Sequence, residues 1–117
     1  MNIENYRNYC LSKKGVTEEF PFDDRALVFK VMGKMFTITD VETFVSFSVK
    51  CDPELAMQLR EEHSGVLPGY HMNKKHWNTI MMDMSIPDNK AYEWIDHSYE
   101  LVVSKLPRKL KEQLNYS

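Results

Sequence analysis

The sequence predicts an α+β fold in which helices pack on a single antiparallel sheet. Three observations point there. Helix-period and strand-period segments come in the order helix, three or four strands, helix, two strands, helix. The strands follow one another through connections of a few residues, which antiparallel pairing permits and a parallel crossover does not. A chain of 117 residues suits one core, so residues 1–117 are expected to form one domain.

Ile3, Tyr6, Cys10 and Leu11 recur at helical spacing, which predicts an amphipathic helix over residues 2–14 that Gly15 ends. A short extended piece is expected over 19–22, before the turn residues Asp23 and Asp24. Residues 27–32 and 35–39 are β-prone runs around Gly33-Lys34, a hairpin with a two-residue loop. Residues 44–49 alternate apolar and polar, as a strand with one face in the core does. Asp52-Pro53-Glu54 then reads as cap, first helical position and dipole-favoured acid of a second helix that Gly65 stops. Residues 65–82 form a second hairpin, punctuated by Gly65, Pro68, Gly69 and Asn73, with Asn73-Lys74-Lys75 at its tip. A third helix starts at Ser85-Ile86-Pro87-Asp88, buries Tyr92, Ile95, Tyr99, Val102, Val103 and Leu106, and runs to about Lys105. Pro107 interrupts it, and 108–114 reads as a final turn or short helix.

With 43% hydrophobic and 27% charged residues, the chain lies in the range of ordered globular proteins. No apolar run reaches the ~20 residues of a membrane helix, and the first residues lack the apolar core of a signal peptide, so a cytoplasmic protein with no membrane partner is expected. Cys10 and Cys51 have no metal-knuckle spacing and suit free thiols in a reducing compartment. Cys51, just before a helix, has the position of a reactive thiol, but the strand before it and the acidic cap after it favour a small buried hydrophobe. No phosphate-cradling glycine loop, nucleophile elbow or zinc-helix motif occurs, which leaves a non-enzymatic binding module without a cofactor as the expected class.

A net charge of −2 argues against a protein that coats nucleic acid with its whole surface. Charge is nevertheless segregated: residues 25–39 and 66–82 contain bases and no acid, 101–117 is net positive, and 40–65 and 83–100 are net acidic. If the two acid-free hairpins fold side by side, they make a basic patch on an acidic protein. Lys30, Lys34, Lys74 and Lys75 would then dock on phosphates, with His71, Asn73, His76, Trp77 and Asn78 shaping contacts to bases. Against this stands the ordinary reading, solvated turn lysines and a core tryptophan. His71 and His76 face each other across such a hairpin, but two ligands beside two lysines do not make a metal site. The alternative is a protein- or small-ligand-binding groove of Tyr70, His71, Trp77 and the methionines Met72, Met81, Met82 and Met84. Met81 and one of its neighbours Ile80 or Met82 must face opposite sides of the sheet, so one of them leaves the helix layer.

Several ordered words resemble the MmcQ/YjbR family: Phe20-Pro21-Phe22, the run from Lys30 to Phe36, the run from Lys50 to Glu54, Pro68-Gly69-Tyr70-His71-Met72-Asn73-Lys74, His76-Trp77-Asn78-Thr79, and Asp96-x-Ser98-Tyr99-x-Leu101-Val102. The resemblance spans nearly the whole chain. It implies an α-β(3)-α-β(2)-α arrangement similar to type III secretion chaperones, and a DNA-binding role through two hairpin wings. It leaves open whether the protein is a monomer or a homodimer, and a dimer would double the basic patches.

Overall fold

The computed structural model describes residues 1–69 and 72–115. The elements are α1 (Ile3–Leu11), β1 (Val16–Glu19), β2 (Ala26–Val31), β3 (Lys34–Asp40), β4 (Ser46–Lys50), α2 (Pro53–Glu62), β5 (Val66–Pro68), β6 (Trp77–Met81), α3 (Asp88–Ser104) and α4 (Arg108–Asn115). The strands form one antiparallel sheet of order β1-β2-β3-β4-β6-β5. The fold class is therefore α+β as expected, with four strands before α2 and the last segment a helix.

Local chemistry sets most boundaries. Asn2 caps α1 by accepting from the Asn5 N–H at 2.8 Å, and the Asn5 side chain returns the bond to the Asn2 N–H. Asp52 accepts from the N–H groups of Glu54 and Leu55, with Pro53 in the first turn. The loop between β2 and β3 is Met32-Gly33, one residue earlier than expected. Both residues have positive φ, 50° and 84°, the signature of a type I′ turn whose twist matches that of the strands. Lys34 consequently enters β3 opposite Val31. The first extended piece also lies earlier than expected, at Val16–Glu19 rather than 19–22. Gly15 turns the chain with φ 72° directly into pairing of Val16 with Val31, and Pro21 has no N–H with which to continue a ladder. A Cβ on Gly15 would lie 2.6 Å from Leu114 Cδ1 of α4, so a side chain in this turn would also displace the Leu114 side chain.

All four helices contribute to one core on one face of the sheet. Tyr6 of α1 is fully buried and its ring meets Phe29 edge-on at 5.5 Å and Phe47 at 5.2 Å. Burial of a side chain of this size is worth about 1.5–3 kcal/mol. Its hydroxyl shares a 2.8 Å hydrogen bond with Thr37 Oγ1, which donates to the Ser48 carbonyl. Phe29 pairs with Thr37 and Lys30 with Met35, so Phe36 is an extra residue in β3, a bulge. From α3, Ser98 Oγ donates to the Phe36 carbonyl at 2.6 Å and accepts from the Lys50 N–H at 2.9 Å. Tyr99 beside it packs edge-on against Phe36 and donates to the Lys14 carbonyl. The Ser98-Tyr99 word thus locks α3 to the bulge and to the end of α1.

Among the described residues the opposite face carries no helix. There Ile38, Ser48, Thr79 and Leu67 form one row across the sheet. The outer strands are the four-residue β1 and the three-residue β5, which ends in Pro68. No helix among the described residues is long and apolar enough to cross a membrane.

Candidate functional site

Antiparallel register gathers four chain segments at one end of the sheet. The β2–β3 turn follows Val31, which pairs with Lys34; Thr37 pairs with Val49; Lys50 pairs with Trp77; and Pro68 pairs with Asn78. Both hairpin turns therefore project from the same end, on either side of β4. The hairpin axes are three strand spacings apart, roughly 14 Å.

The second turn is built by Asn73, whose Oδ1 accepts from the Lys75 N–H at 2.9 Å while its carbonyl accepts from the His76 N–H at 3.1 Å, an Asx-type turn. It presents Lys74 and Lys75 to solvent. Arg60 of α2 braces it, donating through Nε to Asn78 Oδ1 at 2.7 Å and through its terminal nitrogen to the Lys74 carbonyl. The His76 carbonyl accepts from the Cys51 N–H at 2.7 Å, tying the loop to the end of β4.

The structure sorts the residues expected at this surface. Lys34, Asn73, Lys74 and Lys75 are exposed at the two turns, and His76 is half-buried beside them. Lys30 does not join them. It sits inside β2, half-buried, with its ammonium 2.5 Å from Glu19 Oε1, so its charge is neutralised within the chain. Asn78 is 1% exposed. It faces α2, where its amide donates to the Ala56 carbonyl and accepts from Arg60, and it has no edge to offer a base. Trp77 is 7% exposed; alternation with Thr79 puts it on the helix-free face, and its ring is not presented for stacking. His71, with the His71–His76 pairing and the Tyr70 part of the groove, lies outside the described residues. Among the described residues no three His, Cys, Asp or Glu side chains come together as a metal site.

Three basic residues at this end were not anticipated. Lys50 closes β4 opposite Trp77, Lys105 follows the last turn of α3, and Arg60 lies under the second turn. The only sequence signal for Lys105 is the net positive charge of 101–117. Lys50 and Arg60 belong to a net acidic stretch that gives no hint of them.

A groove of about 840 Å³ lies on the helix-free face. Ile38, Ser48, Thr79, Met81 and Leu67 line its floor along the sheet, and Phe22 lines it from the loop before β2. Phe22 is 71% and Leu67 45% exposed. A hydroxyl pair, Ser48 and Thr79 at 2.9 Å, crosses the floor, and Arg25 bonded to Asp40 at 2.8 Å marks one rim. Ile80 lies in the core under the helices and Met81 in the groove, the opposite facing that alternation requires.

Cys10 and Cys51 are buried. Burial is the main cause that pushes the Cys10 thiol up to about 12 and the Cys51 thiol to about 11, with Asp52 adding to the second. The folded protein is expected to resist a disulfide reagent at pH 8, because the thiolate is the reacting form, and to react at both cysteines once unfolded in guanidinium. Rapid native-state labelling of Cys51 would contradict its placement.

The YjbR family model matches residues 11–101. The chain is 40% identical to the uncharacterized protein YjbR of Escherichia coli K12 over 118 residues, covering 97% of this chain and 100% of that one. The crystal structure of Deinococcus radiodurans protein DR2400, with a DUF419 domain, is similar at a TM-score of 0.90 and 36% identity, over 97% of this chain and 88% of that one. A protein from Pseudomonas syringae, 24% identical, shares the fold at a TM-score of 0.73 over 86% of this chain and 98% of its own.

Proposed function

The chain belongs to the YjbR family, and we propose that it is a non-enzymatic module of a reducing, cytoplasmic compartment that docks on the phosphate backbone of duplex DNA with the turn-bearing end of its sheet. One observation carries this reading. Lys34, Lys50, Lys74, Lys75 and Lys105 sit at that end, and among the described residues none of them forms an ion pair. Such a local excess on a chain of net charge −2 favours end-on approach to a polyanion over coating by the whole surface. The roughly 14 Å between hairpin axes is commensurate with a major groove about 12 Å wide, so the two turns can meet phosphates on its two sides. With Trp77 and Asn78 buried, base readout has few side chains at its disposal. The contacts are therefore mainly to backbone and weakly selective for sequence.

Titration against a fluorescent random duplex tests this. Wild type is expected to bind in the non-specific range, about 10⁻⁴ to 10⁻⁶ M, and to weaken steeply with salt. A Lys74→Glu, Lys75→Glu double variant is expected to bind at least about tenfold more weakly, with a shallower salt slope. No binding at low salt would overturn the reading.

The groove on the helix-free face favours a second reading, a module for a protein segment or small molecule. Its volume of about 840 Å³ lies in the range of ligand clefts, about 300–1,000 Å³, and Met72 and Met81 in its lining adapt readily to a partner. Binding there would be indifferent to salt or tighten with it.

A further inference from the structure

The helix-free face carries opposite charge at its two ends. Its middle is crossed by the row Ile38, Ser48, Thr79 and Leu67. Two residues along β3 from Ile38 lies Asp40, whose carboxylate holds Arg25 at 2.8 Å; Asp23 lines the groove beside them, and Glu42 lies 3.4 Å from the same guanidinium. Three carboxylates against one guanidinium leave this end acidic. Two residues along β4 from Ser48, in the other direction, lies Lys50. Val49 and Cys51 on either side of it belong to the core, so alternation turns Lys50 to the helix-free face with Trp77 opposite it. Among the described residues Lys50 forms no ion pair. Between the two ends Phe22 and Leu67 are exposed.

Such a face complements itself. A two-fold axis along the middle row lays a second copy face down with its strands reversed, which brings Lys50 of each copy to the acidic end of the other. Asp40 and Lys50 each stand two residues, about 7 Å, from that row, the equal offset that the reversal requires. A two-fold axis along the strands would instead set acid on acid and base on base.

We propose that the helix-free face is the contact of a homodimer, in which two sheets stack face to face with antiparallel strands. The proposal rests on the second reading, that the groove is a binding surface, and names another copy of this chain as its occupant. Stacked sheets stand about 10 Å apart, a gap that a lysine on one sheet and a carboxylate on the other can close. Stacking also removes Phe22 and Leu67 from water. The face is about 19 Å wide across β2, β3, β4, β6 and β5, which is small for a permanent interface, so the dimer is expected to be weak, with a dissociation constant of about 10⁻⁵ to 10⁻⁴ M.

Sedimentation velocity of the full chain from about 10⁻⁶ to 10⁻³ M spans that range. Wild type is expected to pass from monomer to dimer. A Phe22→Ser, Leu67→Ser variant is expected to dimerise at least about tenfold more weakly and to keep its duplex affinity, so this proposal and duplex docking fail separately. Glu42→Lys and Lys50→Glu variants are each expected to dimerise about tenfold more weakly, because like charges then meet at both ends. An equimolar mixture of the two is expected to recover the dimer, since every end contact again joins opposite charges. That recovery identifies antiparallel stacking and shows that both variants are folded. A wild type that stays monomeric at the highest concentration would overturn the proposal, as would a dimer indifferent to the Phe22→Ser, Leu67→Ser change or a mixture that recovers nothing. Should the monomer still bind the apolar dye anilinonaphthalene sulfonate, and the Phe22→Ser, Leu67→Ser variant not, the groove reading would survive with an occupant other than a second copy.

Discussion

Replacing Ser98 with alanine is expected to destabilise the fold by about 2–4 kcal/mol, because each buried backbone group left without a partner costs about 1–3 kcal/mol. Ser98 is fully buried and its hydroxyl serves two such groups, the Phe36 carbonyl at the β3 bulge and the Lys50 N–H at the end of β4. Both lie where the regular ladder is interrupted: Phe36 is the extra residue of the bulge, and Lys50 is the last residue of its strand. The change removes one oxygen and hardly alters packing, so the loss reports the hydrogen bonds. Urea unfolding should show a lower midpoint at unchanged slope, and the melting temperature should fall by roughly 10 °C. A loss below about 0.5 kcal/mol, the level of an ordinary surface substitution, would mean that the two groups find other partners and that Ser98 does not anchor α3.

An Arg60→Met variant is expected to lose about 2–3 kcal/mol, as hydrogen bonds to charged donors contribute about 1.5–3 kcal/mol. Methionine keeps much of the stem but leaves Asn78 Oδ1 buried without its 2.7 Å donor and frees the Lys74 carbonyl. The damage should be local. Amide exchange at His76, whose N–H bonds to the Asn73 carbonyl, should accelerate more than exchange in β4. Duplex affinity should fall as well, less than in the Lys74→Glu, Lys75→Glu variant, since the turn lysines remain but are held less firmly. Unchanged exchange at His76 would show that the turn keeps its shape without Arg60.

Elements with chemical punctuation were legible in the sequence. Asp52-Pro53-Glu54 opens α2 where its capping bonds form, and the β2–β3 hairpin follows from two β-prone runs around a glycine. Legibility fails where a distant residue decides. The place of β1 depends on pairing Val16 with Val31 across the turn at Gly15, and that pairing also brings Glu19 to Lys30. With β1 expected at 19–22, Lys30 read as a free wing cation. In β6 the alternation was visible but its phase was not: periodicity shows that Trp77 and Asn78 face opposite sides, while the Arg60 and Ala56 bonds show which side Asn78 takes. Lys34, Lys50 and Lys105 reach the same end of the sheet only through strand register and the course of α3, a tertiary fact that no local pattern carries.

The two outermost strands bear on how a copy of this sheet could be extended by another. A sheet with one face bare of helices invites a neighbour to extend it strand by strand, the route to fibrous aggregates. Here β5 offers three residues and ends in Pro68, which has no N–H to donate, while β1 offers four and carries Glu18 and Glu19. Short, charged or proline-ended margins resist such growth. The chain can therefore keep a broad sheet face bare of helices without offering long edges to a neighbour, and self-association, where it occurs, is steered to faces and away from edges.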